Sequence, residues 1–256
     1  ISRYFSHLGG GDAVDLSVGD DCAIVRLEAG ERLATSVDTM VAGVHFPKDS
    51  FPEDIGFRAV SAAASDLAAM GARPLGMTVA LTVPETDELW LHAFSEGLAA
   101  AVSEYPLGDA AGALAILKQQ WRPAAGHTEY LLERFNRPRA RLDLGQQLLG
   151  SATAAIDISD GLLADAAHIA AASGVRLCID PDRLPLSPAL CSHENRETIV
   201  RWALTGGDDY ELCFCLPPGS AAPAGTTRIG RVEAGEGVDC GLAIDTATGY
   251  QHFSDQ

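Results

Sequence analysis

Basic residues are scarce in this chain. Only 18 Lys and Arg stand against 35 Asp and Glu over 256 residues, a formal net charge of -17 at pH 7. Contacts that neutralise a nucleic-acid backbone or an anionic membrane surface need clustered Lys and Arg, so this balance argues against both and favours a metal or another cationic partner. No stretch approaches the roughly 18 uninterrupted apolar residues of a membrane span. The opening Ile1-Ser2-Arg3-Tyr4-Phe5 lacks the basic and apolar regions of a signal peptide, so the chain reads as cytoplasmic. The six cysteines show no C-x-x-C pair and no zinc-like spacing to histidine, which points to reduced, mostly buried thiols. Cys213 and Cys215 alternate along an apparent strand and so share one face, where core packing is favoured over metal binding.

Four catalytic signatures are missing as well: G-x-x-x-x-G-K-[ST], a G-x-G-x-x-G opening a helix after a strand, H-x-x-x-H, and G-x-S-x-G. Their absence removes P-loop, Rossmann, zincin and α/β-hydrolase readings. What is present is a set of acidic knots at expected strand ends: Asp20-Asp21, Asp38, Asp66, the pair Asp157 and Asp160, and Asp208-Asp209. Carboxylates about 4 Å apart repel by roughly 4 kcal/mol at an effective dielectric of 20, so several converging in one fold need cations between them. Magnesium takes oxygen ligands, keeps several waters and is usually shared between carboxylates and substrate phosphates, which points to nucleotide chemistry.

At 47% hydrophobic and 21% charged residues the composition is that of a soluble globular protein of one large or two modest domains. A turn at Gly19-Asp20-Asp21 leads into a strand Cys22 to Val25, and Arg32 to Val37 forms a second strand ending at Asp38. Ser50-Phe51-Pro52-Glu53 has capping-box spacing with Pro in the first turn, opening a helix to about Met70 that stops at Gly71. On it Ala59, Ala63, Asp66 and Met70 share a stripe, where a carboxylate is costly unless paired, capping or coordinated. Leu75 to Val83 reads as a strand and Thr86 to Tyr105 as a helix, closing an α/β half.

The second half reads as helices Gly108 to Gln120, Thr128 to Phe135 and Pro138 to Leu149, then a strand Ala154 to Ile158. That strand breaks at Ser159-Asp160-Gly161 into a helix Leu162 to Ala172. Backbone N–H groups at such a turn favour phosphate, and Asp160 is equally placed to cap the helix. Strands Val175 to Ile179, Tyr210 to Leu216, Arg228 to Val232 and Gly241 to Ile244, with a helix Glu197 to Leu204, complete an α+β half. The glycines of Thr205-Gly206-Gly207-Asp208-Asp209 let backbone approach a ligand closely.

Five stretches taken together resemble thiamine-monophosphate kinases: Gly19 to Ala23, Ser36 to Phe46, Ser65 to Ala72, Ile156 to Leu162 and Gly206 to Leu212. Their order and spread cover nearly the whole chain. The resemblance implies the two-domain architecture of the aminoimidazole ribonucleotide synthetase-like superfamily, α/β plus α+β, divided at 1–105 and 106–256, with N-terminal sheets joining a homodimer. It implies ATP-dependent phosphorylation of thiamine monophosphate to thiamine diphosphate, with ATP as co-substrate and several Mg2+ ions. Carried over by position, Asp21, Ser36, Val37, Asp38, Asp66, Asp157 and Asp160 resemble metal ligands, Val37 through its backbone oxygen alone. Tyr105 and Ser159 resemble ATP contacts; His45, Asp208 and Tyr250 resemble substrate contacts. Asp208 stands where Glu is usual. A family segment with a Gly-Gly-Asp-Thr motif is missing between Tyr105 and Pro106, and the expectation is that the natural protein carries it. The competing expectations are a superfamily member with another acceptor and a non-catalytic metal- or nucleotide-binding dimer.

Overall fold

The computed structural model describes residues 2–5, 8, 13–18, 22–100 and 107–244. A short helix α1 (Ser2–Phe5) precedes β1 (Val14–Leu16) and β2 (Ile24–Val25), which pair antiparallel with Val14 opposite Val25 and Leu16 opposite Ile24. The expected strands Arg32 to Val37 and Leu75 to Val83 form no ladder among the described residues, so both are corrections. Strand propensity needs a neighbour to satisfy the backbone, and here Val37 is 88% exposed while Met77, Val79 and Leu81 also face outward.

Helix α2 (Pro52–Ala69) carries Pro in its first turn, where the missing N–H costs nothing. Its N-cap is Phe51, with no side-chain cap, so the Ser50–Glu53 capping box does not form. Helix α3 (Glu88–Ala99) is capped by Asp87, whose carboxylate accepts from Leu89 N at 2.8 Å and Trp90 N at 3.2 Å. The two helices cross on glycine. A Cβ at Gly56 would stand 2.3 Å from Phe94 O, and one at Gly97 1.9 Å from Glu53 O, so only bare backbone lets them approach this closely. The buried face of α2 is therefore Gly56, Phe57, Arg58, Ser61, Ala62, Ser65 and Ala68. The predicted stripe is offset from it: Met70 is 71% exposed and Asp66 is exposed as well. Two serines and a glycine on the buried face carry no apolar signal, which is why the apolar pattern points to the wrong stripe.

Helices α4 (Asp109–Leu117), α5 (Ala125–Asn136) and α6 (Leu142–Leu148) follow. Then β3 (Ala154–Asp157) enters α7 (Leu162–Ser173), β4 (Arg176–Ile179) leads through the 3-10 turns Pro181–Arg183 and Leu190–Ser192 to α8 (Arg196–Thr205), and β5 (Leu212–Cys215), β6 (Gly230–Glu233) and β7 (Gly237–Asp239) close the chain. Strand β3 pairs antiparallel with β5, while β4 lies between antiparallel β6 and parallel β7. The last strand thus precedes its expected place at Gly241 to Ile244. Helix α7 supplies Leu162, Leu163, Ala166, Ile169 and Ala170 to a core shared with β4 and α8. A smaller cluster of Ala68, Leu144, Leu148 and Leu212 fastens α2 to the second half.

All six cysteines are free thiols, Cys22 and Cys191 exposed and Cys240 buried. Cys213 and Cys215 pack against the α7 core as expected, and burial pushes the Cys213 thiol up to about 12.

Beneath α4 lies a buried polar knot. Asp209 accepts from Gly108 N at 2.7 Å and Ala110 N at 3.5 Å, and Asp109 accepts from Tyr130 OH at 3.0 Å and from Ser187. Burial lifts the Asp209 carboxyl to about 8 and Asp109 to about 6, against the pull of hydrogen bonds and of Arg134. A carboxyl lifted on folding stabilises the fold below its unfolded value near 4, and that stability is lost as pH rises through the folded value. Metal-free protein should therefore melt at progressively lower temperature from pH 5 to pH 8.5, with Asp209→Asn flattening the upper part of the curve. A calorimetric melting series checks this, and a midpoint rising with pH in the parent would refute it.

Candidate active site

Four separate chain segments meet where β3 ends. The extended stretch holding Ser36, Val37 and Asp38 crosses α2 so that the Ser36 hydroxyl donates to the Asp66 carboxylate. Asp157, the last residue of β3, is buried at 6% exposure. Desolvation lifts its carboxyl to about 6, the nearby Ser65 hydroxyl opposes the shift, and the charges of Asp66 and Asp38 add to it. Desolvation and then Asp66 raise the Asp38 carboxyl, while His45 draws it down. The charge of Asp66, on a helix, thus reaches Asp38 in a loop and Asp157 at a strand end.

The set is spaced rather than tight. Among the described residues no group of three or more His, Cys, Asp or Glu side chains is close enough to hold an ion alone. Val37 turns its side chain out to solvent. His45 holds its own loop, its Nδ1 accepting from Val41 N at 2.9 Å. Asp21, Tyr105 and Tyr250 lie outside the described residues.

The turn after β3 departs from expectation. Ser159 N, Asp160 N and Gly161 N each donate to Asp165 Oδ2 at 3.1 Å, so these groups serve a side chain of the first turn of α7 and are not open to phosphate. Nor does Asp160 cap the helix: Gly161 is the N-cap, without a side-chain bond. Burial lifts the Asp165 carboxyl to about 6, with Asp160 and Asp157 among the charges that raise it further. The sequence reading missed Asp165, although an acid in the first turn of a helix facing its N–H groups is a recognisable signal.

The Gly206–Gly207 turn docks on this one. A Cβ on Gly207 would stand 2.3 Å from Ser159 O, Asp208 N donates to Ser159 O at 2.9 Å, and Tyr210 N donates to Ile158 O at 2.8 Å. Asp208 and Tyr210 both adopt left-handed backbone, φ 65° and 53°. Non-glycine residues rarely do so, Asp being among the more tolerant, and such conformations gather where a ligand is held. Asp208 pairs with Arg58 of α2, Nη2 to Oδ1 2.7 Å, and accepts from Tyr210 OH at 3.0 Å. Burial, then the Asp208 charge, push the Tyr210 hydroxyl up, keeping it a donor. Neither Arg58 nor the buried, structural role of Asp209 was evident from pattern alone.

Known proteins resemble this chain in sequence and in fold. Residues 19–121 match the family model described as AIR synthase related protein, N-terminal domain. The chain is 38% identical to thiamine-monophosphate kinase of Salmonella typhimurium over 85% of this chain and 81% of that one. The aligned stretch runs over 264 positions, more than this chain supplies, so part of it lies opposite gaps in this chain. In three dimensions the chain is similar to the crystal structure of thiamine-monophosphate kinase from Stenotrophomonas maltophilia, at TM-score 0.82 and 35% identity, covering 90% of this chain and 92% of that one. It is also similar to a structure described as AaThiL complexed with AMPPCP and TMP, at TM-score 0.70 and 28% identity, covering 83% and 84%. The expected two-part α/β and α+β fold is the one these neighbours share. With relatives 38% identical and matched over most of their length, the chain belongs to the thiamine-monophosphate kinase family.

Proposed function

We propose that the chain transfers the terminal phosphoryl group of ATP to thiamine monophosphate, giving thiamine diphosphate. What supports this is the placement of Asp66, held by Ser36, on the helix that packs against β3 and its terminal Asp157, in a chain whose relatives are named thiamine-monophosphate kinases. Asp21, Ser36, Val37 through its oxygen, Asp38, Asp66, Asp157 and Asp160 are assigned to Mg2+. When bound, that ion neutralises the phosphates and stabilises charge on the migrating group. Ser36 orients the Asp66 carboxylate through their hydrogen bond. Ser159 and Tyr105 are assigned to ATP, and His45, Asp208 and Tyr250 to the acceptor. Because the backbone donors after β3 serve Asp165, any contact from Ser159 comes from its hydroxyl.

In-line transfer needs no covalent intermediate here. The acceptor phosphate, with a second pKa of about 6, is already an anionic nucleophile near neutral pH, so no general base is assigned. The domain division at 105/106, a homodimer through the N-terminal sheets and a cytoplasmic location belong to the same proposal. No helix among the described residues is long and apolar enough to cross a membrane. Incubation with ATP, MgCl2 and thiamine monophosphate, resolved by chromatography, should yield thiamine diphosphate and ADP in equal amounts, and chelation should stop it. ADP without thiamine diphosphate would refute the assigned acceptor, and no turnover of either would refute the reaction.

A further inference from the structure

We infer that Arg58 is a positioning residue for substrate recognition: with the Tyr210 hydroxyl it clamps one oxygen of Asp208, so that the other carboxylate oxygen is presented to the acceptor in a fixed direction. The inference rests on the reading of Asp208 as a substrate contact. Arg58 is 2% exposed, and a cation so deeply buried costs several kcal/mol unless paired. Its guanidinium is anchored independently of Asp208. Nη1 donates to Phe135 O at the end of α5, and the group stacks over the Phe135 ring at 4.6 Å. That leaves Nη2 as a rigid arm reaching Asp208 Oδ1 at 2.7 Å, a fork geometry that Lys does not reproduce.

Oδ1 is thus taken twice, by Arg58 and by Tyr210 OH at 3.0 Å. Oδ2 has no partner among the described residues, although the Asp208 side chain is 40% exposed. The backbone is held too, by its left-handed conformation and the bond from Asp208 N to Ser159 O. A carboxylate fixed by two side chains and its own backbone binds without first losing rotamer freedom. A half-exposed carboxylate with one oxygen uncommitted suits a cationic, nitrogen-bearing ring such as that of the thiamine compounds. Arg58 and Asp66 are eight residues apart on α2, about 12 Å along a helix rising 1.5 Å per residue. One rigid helix therefore sets the spacing between the acid that reads the ring and the acids that meet the phosphates.

Calorimetric titration with thiamine monophosphate and, separately, with ATP and Mg2+ tests the clamp in parent, Asp208→Ala, Tyr210→Phe, Arg58→Met and Arg58→Lys proteins. Tyr210→Phe removes only the hydroxyl and should weaken thiamine monophosphate about tenfold, the worth of one hydrogen bond to a charged group, with ATP unchanged. Arg58→Met should weaken it at least as much, and Arg58→Lys should restore part of the loss. Failure of Asp208→Ala to weaken thiamine monophosphate would remove the underlying assignment of Asp208. Weakening by Asp208→Ala with parental binding in Tyr210→Phe and Arg58→Met would overturn the clamp and leave that assignment standing. Equal weakening of both ligands in Tyr210→Phe would show a role in the fold rather than in positioning, and would also overturn it.

Discussion

Asp66→Asn and Asp38→Asn should each lower turnover by about a hundredfold or more, the scale seen when one preorganised charge-stabilising group is lost from an active site. Folding should scarcely change. Asp66 is exposed on α2, and surface substitutions usually move stability by no more than about 0.5 kcal/mol. Asparagine moreover removes one of several like charges that push up the Asp157 carboxyl, so the metal-free variants should be no less stable than the parent. Two readouts separate site from scaffold: kcat at saturating ATP and thiamine monophosphate, and the rise in melting temperature on adding MgCl2. Both should shrink together in either variant. Parental turnover in both would remove these acids from the assigned metal site.

Asp165→Ala should carry the largest cost to stability. One carboxylate oxygen satisfies Ser159 N, Asp160 N and Gly161 N, and alanine leaves all three without it. At about 1–3 kcal/mol for each orphaned group, the loss reaches roughly 3 kcal/mol even at the low end, a large share of a typical 5–15 kcal/mol stability. At about 2–4 °C per kcal/mol for a chain of this size, the midpoint should drop by about 6 °C or more. Asp165→Asn keeps an acceptor oxygen and should cost less. The loss should also reach the ligand side, because the Asp208 turn hangs from Ser159 O and Ile158 O. A variant melting with the parent would mean that water replaces the carboxylate there.

How far pattern led to structure depended on whether the cause was local. Helix α7 was read as Leu162 to Ala172 and runs Leu162–Ser173, because its start and its Gly174 stop are written beside it. Asp38, Asp66 and Asp157 stand out as acidic knots in the sequence, but which loop, helix and strand end carries each becomes visible only in the fold. Residues 32–37 and 75–83 were read as strands from composition, yet a strand is defined by its neighbour, which their own sequence does not specify. The buried face of α2 escaped because glycine and serine form it, and Arg58 escaped because its partners lie 77 and 150 positions away. Asp208 and Asp209 are adjacent yet divided in role, one at the cleft and one capping α4, a division that the turn's left-handed backbone imposes.

The uneven exposure of the thiols has a practical consequence. Cys22 and Cys191 are open to solvent while the Cys213 thiol is held protonated far above neutral pH. Cys22 in the first half and Cys191 in the second are the exposed sulfurs, so with the half-exposed Cys178 and Cys215 replaced by serine, donor and acceptor fluorophores attached by maleimide chemistry would form an optical ruler between them. Energy transfer between the dyes would then report their separation with and without nucleotide, with no cysteine added.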